Sequence, residues 1–401
     1  MSGAPRATLS RGPERAVTML VAAAIALGTA AAAACPFCGT VGRSLAERRD
    51  AAAVVAVGES AGPARDDGAG GRSQPFRIDQ RLRGEAAAVV AGGHVLADVP
   101  GPIAGTAILF ATPAADGAGG LVWSAVAADE TLLGHVVAAP PVTQPDVDRL
   151  RWYAGRLEHP DAAIAADAFT EFGRAPFASV RAASDAIDPD RLAAWVDEPG
   201  IDARRRGLYG LLLGVVTAAS RDPGRRAVFL AALHRAVDAP GADFRAGYDG
   251  ILAGLLVAEA ETGLDALRDR GLLRPDARPL DQRHLLAALR FAAESLPDRI
   301  PRSRIVAATT DLLASPAVAA DATIDLARYE AWDAVDEVAG LWESRGADDP
   351  LIRRAVAGYL AACPLPAARQ RLDALRGRQP DLVRQALEAA TLPAPGPRDA
   401  E

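Results

Sequence analysis

The chain has no lysine and no asparagine, so all 44 of its basic residues are arginine. The first absence excludes a Schiff-base lysine and a GxxxxGK[ST] phosphate loop. The second excludes N-glycosylation sequons and a Cys-His-Asn triad. Beyond the N-terminal region, no uninterrupted apolar run reaches the roughly 18 residues of a spanning helix. Leu208 to Ala219, the strongest run beyond the N-terminus, is too short. The five histidines form no HExxH and no close pair, and no GxSxG elbow is present. A formal charge of −7 argues against nonspecific nucleic-acid binding and against anionic membrane surfaces.

What is present begins at the N-terminus. Arg6, Arg11 and Arg15 precede an apolar stretch from Ala16 to Leu27, and small residues follow to Ala32-Ala33-Ala34. A basic region, a short apolar core and an A-x-A site are the parts of a secretory signal. The competing reading is an alanine-rich N-terminal helix of a cytosolic protein. Cleavage after Ala34 makes Cys35 the first mature residue, at the head of Cys35-Pro36-Phe37-Cys38. Lipoprotein processing also places a cysteine there, although it prefers leucine where Ala32 stands; an acyl chain on Cys35 would anchor the protein. Removing residues 1–34 takes away three Arg and one Glu, so the charge goes from −7 to −9.

Cys-x-x-Cys is the redox spacing of thioredoxin-like proteins. Those folds need a strand immediately before the motif, and here the signal precedes it. A c-type haem site requires histidine where Gly39 stands, and a zinc site requires a second ligand pair, whereas Cys363 is single and distant. Cys35 and Cys38 therefore read as a short disulfide, or as an acylated Cys35 beside a free Cys38, ahead of redox catalysis or metal binding. Cys363, on an apolar helix end, reads as buried and inert.

The mature chain changes character near residue 143. Before it, short apolar runs occur at Ala52–Val57, Phe76–Leu82, Ala86–Val90, His94–Val99, Thr106–Ala111, Leu121–Ala127 and Leu132–Val137. Gly-rich breaks separate them, including the near-identical Asp67-Gly-Ala-Gly-Gly71 and Asp116-Gly-Ala-Gly-Gly120. Short strands at this density predict a small barrel or sandwich. Val54-Val55-Ala56-Val57-Gly58, then Phe76-x-Ile78 leading to Leu82-Arg83-Gly84, and later Thr106 to Phe110, resemble netrin/tissue-inhibitor-type OB barrels. That resemblance implies an OB-like barrel. The family's inhibitory wedge does not carry over, because it begins Cys-x-Cys and is tied to its barrel by cysteines that this chain lacks.

From Gln144 onward the chain is helical and punctuated. Prolines at 160, 199, 240, 279, 316 and 350 each precede an amphipathic stretch, as in Asp349-Pro350-Leu351-Ile352-Arg353-Arg354-Ala355-Val356. Proline fits the first turn, where its missing N–H has no partner to lose, and the adjacent aspartate caps free amides. A period of about 40 residues resembles the HEAT/armadillo class; an irregular all-α domain is the alternative. The order of parts, CPFC followed by a β region and then Asp167-Ala168-Phe169-Thr170-Glu171-Phe172, also resembles an uncharacterised secreted family of planctomycete type, which brings no activity with it.

The fold expected is α+β and multidomain: a signal at 1–34, a small OB-like β domain at 35–142, a HEAT-like α-solenoid at 143–392 and a disordered tail at 393–401. His159, Asp161, Asp167 and Glu171 offer nitrogen and oxygen ligands near one helix, and Asp167 and Glu171 share a face. A salt-bridging face is the competing use of those residues. Arg328, Tyr329, Trp332 and Trp342 read as a core stripe, or as a partner site if exposed. The function expected is an exported, non-enzymatic scaffold whose helical surface binds a protein or peptide of the cell envelope. It implies no cofactor and no nucleic acid, and a membrane only through a lipid on Cys35. The rivals are a thiol–disulfide protein using Cys35 and Cys38, and a metal-assisted enzyme near Asp167 and Glu171.

Overall fold

The computed structural model describes residues 42–66, 68, 70–85, 91–114, 120–241 and 245–391. The segment expected to be a signal, Cys35, Cys38, the Ala86–Val90 run and the expected C-terminal tail therefore lie outside the described residues. A short helix, α1 (Leu45–Ala51), leads into β1 (Val54–Ser60), β2 (Arg65–Asp66), β3 (Arg72–Arg83), β4 (His94–Asp98), β5 (Thr106–Pro113) and β6 (Leu121–Ala127). The pairing runs β1-β5-β6-β4-β3 and returns from β3 to β1, which closes a five-stranded barrel; the two-residue β2 lies along β3. All pairs are antiparallel except β4 with β6.

Alternation along β1 and β5 explains their nearly continuous apolar sequences. Val54, Ala56, Ala107, Leu109 and Ala111 fill the barrel together with Phe76, Ile78 and Trp123. Val55, Ile108 and Phe110 face the other way and meet Leu45, Leu132, Val136 and Ile164 from surrounding helices. Successive side chains of a strand point to opposite faces, so a strand buried on both carries no polar face. Across one end of the barrel, Gln74 donates from Nε2 to Ile103 O (2.7 Å) and accepts the Ile103 N–H (2.9 Å), which pins that loop down.

The Leu132–Val137 run is helical, correcting its reading as a strand: it lies in α2 (Glu130–Ala138). Asp129 accepts the Leu132 N–H at 2.9 Å as the N-cap. Leu132, His135 and Val136 then form a buried stripe at the three- and four-residue spacing of a helix. Next come α3 (Asp146–Ala154), α4 (Ala162–Arg174), α5 (Phe177–Ala182) and α6 (Pro189–Asp197).

The remaining helices alternate between two rows. One contains α7 (Ala203–Ala219), α9 (Tyr248–Glu259), α11 (Pro279–Ser295), α13 (Ala319–Arg328), α15 (Pro350–Ala362) and α17 (Pro380–Thr391). The other contains α6, α8 (Pro223–Asp238), α10 (Glu261–Asp269), α12 (Arg302–Asp311), α14 (Val335–Arg345) and α16 (Pro366–Arg378). In the first row α7 packs on α9, α9 on α11, α13 on α15 and α15 on α17. The prolines at 199, 240, 279, 316 and 350 each precede or begin a helix of this row, but Pro189, Pro223 and Pro366 begin helices of the other, so proline marks helix starts in both rows; Pro160 instead precedes α4. The second row is laced by ion pairs between successive members: Arg235–Asp197 and Arg225–Asp190 join α8 to α6 at 2.7 Å each, and Arg371–Asp336 joins α16 to α14 at 2.8 Å. Exposed pairs of this kind contribute about 0–1 kcal/mol each, so the rows cohere through their shared apolar core.

The tightest crossing is α7 on α9. Gly207, Gly210 and Gly214 face Gly247, Gly250 and Gly254 so closely that a Cβ on Gly254 would lie 2.1 Å from the Gly210 carbonyl oxygen. Among the described residues, no helix is long and apolar enough to cross a membrane.

Candidate functional site at the barrel–helix junction

The densest buried polar cluster lies where the barrel meets the helices. Ser44 caps α1 through a reciprocal box: its hydroxyl accepts the Glu47 N–H (3.1 Å), and its own N–H donates to Glu47 (3.0 Å). Leu45 N–H donates to Asp167 Oδ1 on α4 at 2.6 Å. The carboxylate thus faces the α1 N-terminus, where the helix dipole favours negative charge.

Asp167 Oδ2 lies 2.8 Å from His135 Nε2, and both side chains are only 2% exposed. With a carboxylate on that side, Nε2 carries the proton and Nδ1 is left as an acceptor. The His135 ring packs 5.1 Å from Trp152 and 5.9 Å from Tyr153, both on α3. One turn beyond Asp167, Glu171 pairs with Arg149 of α3. Burial pushes the Glu171 carboxyl above its ordinary range, against the opposing pull of the Ser44 hydroxyl and Arg149. Burial, with Asp167 and Glu171 nearby, pushes the Tyr153 phenol far up as well. Four buried atoms here lack a hydrogen-bond partner: His135 Nδ1, Arg149 Nε, Tyr153 OH and Glu171 Oε1. A cavity of about 110 Å³ lies alongside, lined in part by Glu47, Asp146, Arg149, Glu171 and Arg174.

A histidine held by an aspartate is half of a general-base device. The other half, a nucleophile and a reachable substrate, does not accompany a ring buried to this degree. The arrangement instead ties α1, α2, α3 and α4 together beneath the barrel. Asp167 and Glu171 do share a face, as their spacing implies, and that face is buried and ion-paired. His159 and Asp161 do not join them: Asp161 caps α4 by accepting the Ala163 and Ile164 N–H groups, and its own N–H donates to His159 Nδ1 at 3.0 Å. Among the described residues no three of His, Cys, Asp and Glu converge as metal ligands. His135 escaped the sequence reading because its segment resembles a strand; read as a helix, Leu132-x-x-His135-Val136 places it on the buried stripe.

The aromatic group near the C-terminal end also divides. Trp342 is 3% exposed, and its Nε1 donates to Gln379 at 2.8 Å, so it belongs to the core and not to a partner surface. Trp332 is half-buried with its ring 5.3 Å from Tyr359. Tyr329 is half-buried with its hydroxyl unpartnered. Arg328 remains largely exposed and pairs with the fully buried Asp325 at 3.1 Å. Arg290 of α11 reaches the same carboxylate at 2.6 Å and so links α11 to α13. Cys363 is buried and free, as expected of an apolar helix end.

Asp325 supplies a pH test. Burial raises its pKa above the ordinary 3.8, with Arg290 and Arg328 opposing. A raised folded-state value means that the group's stabilising contribution is complete below the ordinary pKa and is lost as pH rises through the folded one. The stability of the wild type relative to Asp325→Asn should therefore be greatest near the ordinary value and should fall as pH increases. Urea melts of both proteins across that range measure it; a difference that is flat or grows with pH would exclude the assignment.

No family model matches the chain, and neither a curated protein nor a solved structure matches it.

Proposed function

We propose that the protein is an exported interaction scaffold: an OB-like barrel followed by a HEAT-like α-solenoid whose surface binds a protein or peptide of the cell envelope. The observation that carries this reading is the alternation of helices between two rows over α6 to α17. Stacked helical units expose long continuous surfaces without a preformed catalytic pocket. The barrel's closure, with its last strand inserted between the third and fourth strands of the circuit, agrees with an OB-like module. Export rests on the order of residues 1–34, and CPFC at the mature N-terminus then serves as a staple or an anchor.

The polar junction supports the same reading. Its buried pairs, His135–Asp167 and Arg149–Glu171, link α2, α3 and α4, which favours a fixed relation of barrel and helices and leaves recognition to the outer surfaces. Affinity capture of the intact mature protein from envelope extracts is expected to recover one partner at stoichiometric yield. Repeated failure to recover one, together with dithiol exchange that disappears in Cys35→Ser, would replace the scaffold with a redox protein.

A further inference from the structure

A second cleft lies among the ends of α6 and α8 and the starts of α7 and α9, with a volume of about 370 Å³. Its floor is apolar: Val196, Ala236 and Ile251 are buried in the helical core. Among the described residues its walls carry Arg206, Arg235 and Arg245 against Asp197. Arg235 is paired with that aspartate at 2.7 Å. Arg245 lies 3.5 Å over the Tyr248 ring and 3.5 Å from Asp281. Arg206 is different. Its Nη2 donates to the Glu198, Pro199 and Ile201 carbonyls, it pairs with no carboxylate among the described residues, and its buried Nε has no partner.

The next cleft along the stack, at the α10–α11 connection, shares a wall with this one, because Arg245 meets Asp281 there. Together the two clefts carry seven arginines against four aspartates, on a chain whose net charge is −7. Asp238 and Asp311, outside both linings, pair with Arg270 and Arg268, so the cation beside the apolar floor that meets no carboxylate among the described residues is Arg206.

We infer that the cleft beside Arg206 takes the free C-terminal carboxylate of a partner polypeptide that ends in an apolar residue. The guanidinium provides the charge-assisted hydrogen bonds that a carboxylate accepts, and the floor receives the last side chain. The volume is at the small end of the roughly 300–1,000 Å³ range of ligand clefts, which fits a chain end better than a folded surface. The inference rests on the scaffold reading and names the partner chemistry for one of its surfaces.

The test titrates the full-length mature protein with a fluorescein-labelled, otherwise uncharged pentapeptide ending in leucine, as free acid and as C-terminal amide. The acid is expected to bind, and the amide about tenfold or more weakly, the loss of one charge-assisted hydrogen bond. Arg206→Gln should reduce the acid to the level of the amide. Because Arg206 also holds three carbonyls, Ala239→Phe at the exposed mouth provides a second variant that blocks entry without touching that loop. Equal binding of acid and amide, undiminished binding by Ala239→Phe, no binding of either peptide, or competition by acetate at the same concentration as the peptide would each overturn the site. An envelope partner captured equally by wild type and Ala239→Phe would leave the scaffold standing without this pocket.

Discussion

Gly254→Ala is expected to destabilise the protein by about 2–3 kcal/mol, although the same change in an open helix is stabilising. The added carbon would lie 2.1 Å from the Gly210 carbonyl oxygen, a backbone atom that cannot rotate away. Relief requires α7 and α9 to separate along their length, and α9 also packs on α11, so the displacement spreads through the row. Gly340 on α14 is the control, since a Cβ there meets nothing within 4 Å. Gly340→Ala should stabilise by about 0.5–1 kcal/mol through helix propensity alone. Guanidinium melts of the two variants should shift in opposite directions. A shift of the same sign in both would mean that the α7–α9 contact is looser than described.

The junction gives the second large effect. Asp167→Ala removes the acceptor of the Leu45 N–H and of the His135 ring in a site where both side chains of the His–Asp pair are 2% exposed. Leaving a buried donor unmet costs about 1–3 kcal/mol, and breaking a buried pair about 3–5 kcal/mol. The Leu45 N–H and the His135 Nε2–H are both left unmet, so a loss of about 3 kcal/mol is expected. His135→Leu combined with Asp167→Leu should recover part of it, because an apolar pair avoids the unmet partners. A double-mutant cycle by chemical denaturation reads the coupling, expected at about 1–3 kcal/mol. Additive single effects would remove the pair from the account.

Much of the architecture could be read from residue pattern. The strand cores at Ala52–Val57, Phe76–Leu82, His94–Val99, Thr106–Ala111 and Leu121–Ala127 overlap observed strands, because alternation and Gly-rich breaks act locally. The prolines marked helix starts in both rows, since proline is favoured where a helix begins, and so did not single out a repeat. Leu132–Val137 failed for a physical reason: its apolar residues fit both periods, and only the Asp129 cap distinguishes helix from strand. The glycine contact was present in the sequence as a duplicated three-and-four spacing at Gly207, Gly210, Gly214 and Gly247, Gly250, Gly254, yet nothing in one chain indicates that two such faces meet. The same holds for the candidate site. Asp167 and Glu171 were placed on one face by their spacing, but their partners Leu45, His135 and Arg149 come from three other helices, and that convergence is a property of the fold.

Photocrosslinking in the intact cell envelope tests the central claim most directly. Photoreactive residues placed at Val228 and Leu351, 61% and 63% exposed on the helical rows, and at Leu96, 62% exposed on the barrel, sample both modules without entering the core. The scaffold account predicts that at least one helical position links to a single discrete partner and that Leu96 does not. No link from either helical position, or a partner held by Leu96 alone, would contradict it.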